Sequence, residues 1–132
     1  MDAPRYGFAK ELPSVPYEQA VARTVEALKT EGFGVLSEID VRAALKNKLG
    51  VDFPNYVILG ACNPPLAHRA LQAEPFLGLL LPCNVVVKDR AGGGSTVSFA
   101  SPRAMFSIVG NPELEPVAAD VEQRLKRVLE RI

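Results

Sequence analysis

Two similar runs in the middle of the sequence constrain the fold most. Tyr56-Val57-Ile58-Leu59-Gly60-Ala61-Cys62-Asn63-Pro64-Pro65 and Leu79-Leu80-Leu81-Pro82-Cys83-Asn84-Val85-Val86-Val87 hold both cysteines, each followed by an asparagine. They also carry the densest apolar and β-branched content in the chain. Residues 55–62 are apolar on both faces of a strand, which places them inside a sheet rather than at its edge. The rest of the chain has to supply neighbouring strands and a layer of helices to cover them.

Read in order, residues 6–12 alternate as a first strand. The breaker Pro13-Ser14-Val15-Pro16 follows, and Tyr17, Val21, Thr24, Val25 and Leu28 then fall at helical spacing up to Gly32, a residue suited to a left-handed helix end. Residues 33–39 alternate again, predicting Phe33, Val35, Ser37 and Ile39 on one face and Leu36, Glu38 and Asp40 on the other. Asp40 is a natural N-cap for a short helix with the stripe Val41, Leu45 and Leu49, closed by Gly50. Asn63 plays the same part for a helix whose first turn holds Pro64 and whose buried side is Leu66, Ala67, Ala70 and Leu71. Residues 76–81 cross back, residues 84–89 and 95–100 form a hairpin across the Gly92-Gly93-Gly94 turn, and residues 101–109 fit either a short helix or an extended cover. The tail from 117 to 132 carries the stripe Val117, Val121, Leu125, Val128 and Ile132. These elements predict an α+β two-layer sandwich over the single domain 1–132: a mostly antiparallel sheet backed by two long helices, with short inserted helices.

At 132 residues a chain can bury a core without staples, and 48% hydrophobic with 23% charged residues is ordinary for a globular protein. Fifteen basic residues balance fifteen acidic ones, so no net field draws the chain to nucleic acid or to an anionic membrane surface. The apolar run at 75–83 is far short of the roughly 20 residues that span a bilayer. Charged residues break up the amino end, so no secretory signal is read there, and the expected location is cytoplasmic. Two cysteines in such a chain read as thiols rather than a structural bridge.

Candidate site residues gather around the cysteines. If the strand ending at Cys62 and the one beginning near Asn84 are antiparallel neighbours, the two Cys-Asn pairs converge. The amides of the helix capped by Asn63 would then favour an anion and make Cys62 thiolate-like. Alternatively Cys62 and Cys83 are small apolar core residues, Asn63 caps and Asn84 turns. Glu38 lacks a capping role and joins the candidate ligand-binding set with Cys62, Asn63, His68, Cys83 and Asn84, while Cys62 and Cys83 are the catalytic candidates. One histidine and no close Cys-x-x-Cys spacing argue against a metal site, and neither nucleotide-binding glycine fingerprint is present, so no cofactor is assigned.

Gly32-Phe33, Glu38-Ile39-Asp40, Lys48-Leu49-Gly50-Val51, Leu59-Gly60-Ala61-Cys62-Asn63-Pro64 and Leu80-Leu81-Pro82-Cys83-Asn84-Val85-Val86-Val87 together resemble the domain of unknown function 302 family. The resemblance runs from about residue 6 to 132. It implies a TATA-box-binding-protein-like (TBP-like) α/β fold, a homodimer and no established activity. Fold alone does not carry function, and Glu11, Glu38 and Asp89 on strands argue against DNA binding. The open readings are a small-molecule binding or sensing domain with a pocket at the Cys-Asn pairs, a thiol-dependent enzyme or redox protein using Cys62 or Cys83, and a purely structural dimer module.

Overall fold

The computed structural model describes residues 3–132. Five strands, β1 (Gly7–Leu12), β2 (Gly34–Asp40), β3 (Tyr56–Cys62), β4 (Cys83–Asp89) and β5 (Ser95–Ala100), form one sheet in the order β1-β5-β4-β3-β2. All neighbours are antiparallel, as connections through hairpins and short crossings allow. The helices are α1 (Tyr17–Lys29), α2 (Val41–Leu49), α3 (Pro64–Ala73), α4 (Pro102–Ser107) and α5 (Glu115–Glu130), with 3-10 turns at Pro75–Leu80 and Pro112–Leu114.

Alternation along the inner strands decides what is buried. Val57 and Leu59 of β3, Val85 and Val87 of β4, and Val97 and Phe99 of β5 point to one face and are at most 2% exposed. Leu28 of α1 and Leu125 of α5 cover them, both fully buried, so the two long helices share that face. Among the described residues, neither long helix covers the opposite face. Across it runs the row Ile39, Ile58, Val86, Ser98 and Ala9, paired strand to strand.

The ends of the elements follow their capping residues. Asp40 Oδ1 accepts from the Ala43 amide at 2.9 Å, and Gly50 closes α2 at φ 68°. Within the stretch 101–109, ambiguous from pattern, Pro102–Ser107 forms α4 with Ser101 as its cap: Ser101 Oγ accepts from the Ala104 amide at 3.2 Å and donates to Glu122 of α5. Glu122 also accepts from the Arg103 amide at 3.3 Å, which pins α4 to α5. The pair Ser101-Pro102 is a cap followed by a first-turn proline, and that signal was available in the sequence.

Two expectations need correction. The α2 stripe is not a buried face: α2 has no buried residue, and Leu49 is 69% exposed. The strict alternation predicted for β2 is broken by a bulge, because Val35 pairs with Ala61 while Ser37 pairs with the adjacent Gly60. Leu36 is the extra residue, so Val35 faces the helices with Glu38 and Asp40, and Ser37 faces away with Ile39. Gly60 makes this arrangement possible, since a Cβ there would collide with Ser37 Oγ and lie 2.7 Å from Pro82 Cγ.

Leu125 supplies a direct test of the packing. Leu125→Ala should lower unfolding free energy by on the order of 2–5 kcal/mol, the range for a buried leucine truncation. Chemical denaturation with an unchanged midpoint would contradict its place in the core.

Candidate functional site

The register of β3 against β4 sets the site. Ala61 lies opposite Cys83, so Cys62 and Cys83 stand one residue out of step at adjoining strand ends. Beside them is a cleft of about 390 Å³, to which Cys62, Asn63 and Cys83 all contribute. One wall is the small-residue side of α3, with Leu66, Ala67 and Ala70; facing it are Phe106 of α4 and Val117 and Val121 of α5. Leu36 and Ser37, carried outward by the β2 bulge, complete the rim with Leu71.

Asn63 holds this corner together. Its Oδ1 accepts from the Leu66 amide at 3.4 Å as the α3 cap, and its Nδ2 donates to the Glu31 carbonyl at 3.1 Å. The second bond reaches the turn after α1, where Gly32 sits at φ 83° with the Asn63 amide packed against it. Glu31 in turn lies between Arg127 of α5 and Arg131 just past its end, at 2.9 and 3.2 Å. The Arg127 hydrogen bond holds the Glu31 carboxyl below its usual range.

The electrostatics of the thiols run opposite to the expectation from sequence. Burial raises the Cys62 pKa above the ordinary thiol value, and burial together with the neighbouring Cys62 pushes Cys83 up to about 11. The start of α3 does not counteract this. Pro64 and Pro65 have no amide hydrogen, the Leu66 amide is given to Asn63 Oδ1, and the Ala67 amide bonds the Asn63 carbonyl at 2.9 Å. With no free donor in the first turn, the helix start does not offer a thiolate the hydrogen bonds that would favour it.

Of the six candidate ligand-binding residues, Cys62, Asn63 and Cys83 come together. Glu38 lies on the helix side of β2 near Tyr17, whose hydroxyl pKa is raised first by burial and then by Asp40 and Glu38. His68 is exposed on α3 and outside the cleft wall, and Asn84 is exposed opposite Gly60. The sequence reading missed Leu36 and Ser37, because only the bulge brings them to the rim. It also missed Phe106, Val117 and Val121, although small Ala67 and Ala70 on the predicted buried side of α3 were a signal of space there. A second hollow of about 270 Å³ lies between α4 and α5, but its charged residues Arg103 and Glu115 face each other at 3.9 Å. Among the described residues no three His, Cys, Asp or Glu side chains gather where they could hold a metal ion. Nor, among these residues, is any helix long and apolar enough to cross a membrane.

Protonated thiols predict slow alkylation. At pH 7 iodoacetamide should label both cysteines more slowly than a reference cysteine peptide, and the rate should climb as pH rises past the ordinary thiol range. Peptide mapping should find Cys62 modified ahead of Cys83. Cys62 labelling that outpaces the reference peptide at pH 7 would mean a thiolate and overturn this picture.

Comparison with known proteins agrees with the fold and supplies no activity. No curated protein matches the chain. A solved structure described as the crystal structure of uncharacterized conserved protein DUF302 from Bacillus stearothermophilus is 34% identical over 97% of this chain and 98% of that one, with a TM-score of 0.88. The family model described as domain of unknown function DUF302 matches residues 8–132. With nearly the whole length covered by both comparisons, the chain belongs to the DUF302 family.

Proposed function

We propose that this chain is a small-molecule binding or sensing domain whose ligand occupies the cleft at Cys62, Asn63 and Cys83. The observation that carries this reading is the cleft itself. A hollow of about 390 Å³ persists beside a core whose central strands are closely packed, and it falls in the size range of ligand sites. The thiol-enzyme alternative is disfavoured, since a nucleophilic sulfur needs a depressed pKa or a neighbouring base. Both thiols are shifted upward, and the lone histidine stands outside the cleft. Two free thiols suit a reducing compartment, and on that ground the domain is assigned to the cytoplasm.

Ala67, half-buried on α3 in the cleft wall, is the residue to change. The neutral fluorophore N-phenyl-1-naphthylamine should bind the native protein saturably, and Ala67→Phe should weaken that binding at least about tenfold by filling the space. Binding that survives in a folded Ala67→Phe protein would place the probe elsewhere and refute the assignment.

A second copy of the chain is the partner we infer, on a separate observation. The uncovered sheet face carries Ile39, Ile58 and Val86 in one cross-strand row, with Ile39 51% exposed at the edge. Phe53 and Val51 continue the apolar surface beside Tyr56, against which the Phe53 ring packs edge-on. A two-fold pairing would cover this face on both copies at once. Light scattering at micromolar concentration should give a dimer that Ile39→Lys dissociates, and a native protein that is monomeric under those conditions would rule it out.

A further inference from the structure

We infer that the ligand of the cleft is an uncharged, largely apolar molecule, and that the site selects against anions of the same shape. The inference rests on the binding reading above and specifies its substrate class.

No wall residue bears a side chain that is charged at neutral pH. Apart from the two thiols the lining is aliphatic or aromatic, with Ser37 and Asn63 as the other polar side chains. Asn63 is largely committed, since its oxygen already accepts from the Leu66 amide and one of its two N–H groups donates to the Glu31 carbonyl, leaving a single neutral donor. The start of a helix is the usual place for an anion to find amide donors, and here it is chemically closed. Two prolines remove the first two donors, and Asn63 occupies the next two through its side chain and its carbonyl.

The neighbouring charges do not compensate. The carbonyl that Asn63 reaches belongs to the turn after α1, where the helix dipole is negative, so it offsets the positive start of α3. Arg127 and Arg131, two cations near this corner, are engaged by Glu31. What remains for a ligand is Ser37 at the rim, the second N–H of Asn63 and the two protonated thiols, a set of neutral hydrogen-bonding groups with no cation among them. A carboxylate or phosphate entering this space would lose its hydration and gain only a few neutral donors with no cation, whereas a hydrocarbon or aryl group would lose nothing.

The experiment is a matched pair that differs in charge. Naphthalene-1-methanol and 1-naphthoate have the same bicyclic body, and at pH 7.5 only the second is ionised. Both are titrated calorimetrically into the native full chain, into Ala67→Phe, and into Ser37→Lys, a change at an exposed position. The alcohol should bind the native protein at least about tenfold more tightly than the naphthoate, because the charged group is desolvated without a cation to compensate it. Ser37→Lys should narrow or invert that ratio by supplying a cation at the rim. Equal or tighter binding of naphthoate to the native protein, abolished by Ala67→Phe, would overturn the charge selectivity while leaving the binding site standing. If neither compound binds, or if folded Ala67→Phe binds both undiminished, the binding reading itself falls and this inference falls with it.

Discussion

The side-chain amide of Asn63 is the joint on which this end of the molecule depends. One residue follows the inner strand β3, caps α3 through Leu66, and bonds the carbonyl of Glu31 beyond α1. Glu31 then passes the connection to α5 through Arg127 and Arg131. Asn63 is 8% exposed, so its own two bonds lie where an unpaired polar group is costly, on the order of 1–3 kcal/mol. Aspartate at this position would keep the cap oxygen and lose the donor, which is why the cap alone does not account for asparagine.

The cleft follows from how that joint meets the β2 bulge. Asn63 fixes the angle at which α3 leaves the sheet, and Leu36 and Ser37 are carried outward where the edge strand slips by one residue. Pro82, just before β4, packs over Gly60 together with Ser37, so β3 has room there only for a residue without a Cβ. Between these fixed elements the small side chains of Ala67 and Ala70 leave a gap that the core does not fill. Rigid walls suit recognition, since a site that is already formed spends little free energy on ordering itself when the ligand arrives.

Much of this was legible before any coordinates. The two long helices, the strands flanking the cysteines, and the caps at Asp40 and Asn63 all follow from periodicity and side-chain chemistry that act within a few residues. The convergence of Cys62 and Cys83 followed from antiparallel pairing alone. What escaped was non-local. A bulge is decided by how a strand fits its neighbour, so nothing within Gly34-Val35-Leu36-Ser37 announced that its faces would exchange. The apolar spacing of Val41, Leu45 and Leu49 suggested cover for a core, yet α2 hangs at the edge where no core lies beneath it. The start of α3 lacks free amide donors for a reason that stood in the sequence: Pro64-Pro65 was read for its helix-starting geometry, without counting the two donors it removes.

The same accounting explains why sulfur, rather than oxygen, sits in the cleft. A hydroxyl at Cys83 would have to find a hydrogen-bond partner in a wall of Ala61, Phe106 and Val121, and an unsatisfied one costs roughly 1–3 kcal/mol. A thiol is nearly the same size but polarises easily and donates weakly, so it fits beside hydrocarbon without demanding a partner. Cysteine to serine is therefore a poor means of asking whether these thiols react, because it adds a solvation penalty whether or not chemistry occurs. Alanine removes the sulfur without adding a polar atom. Under the proposed binding role the cysteines would act as soft apolar surface, and burial is the leading cause of both raised pKa values, with Cys62 adding to that of Cys83.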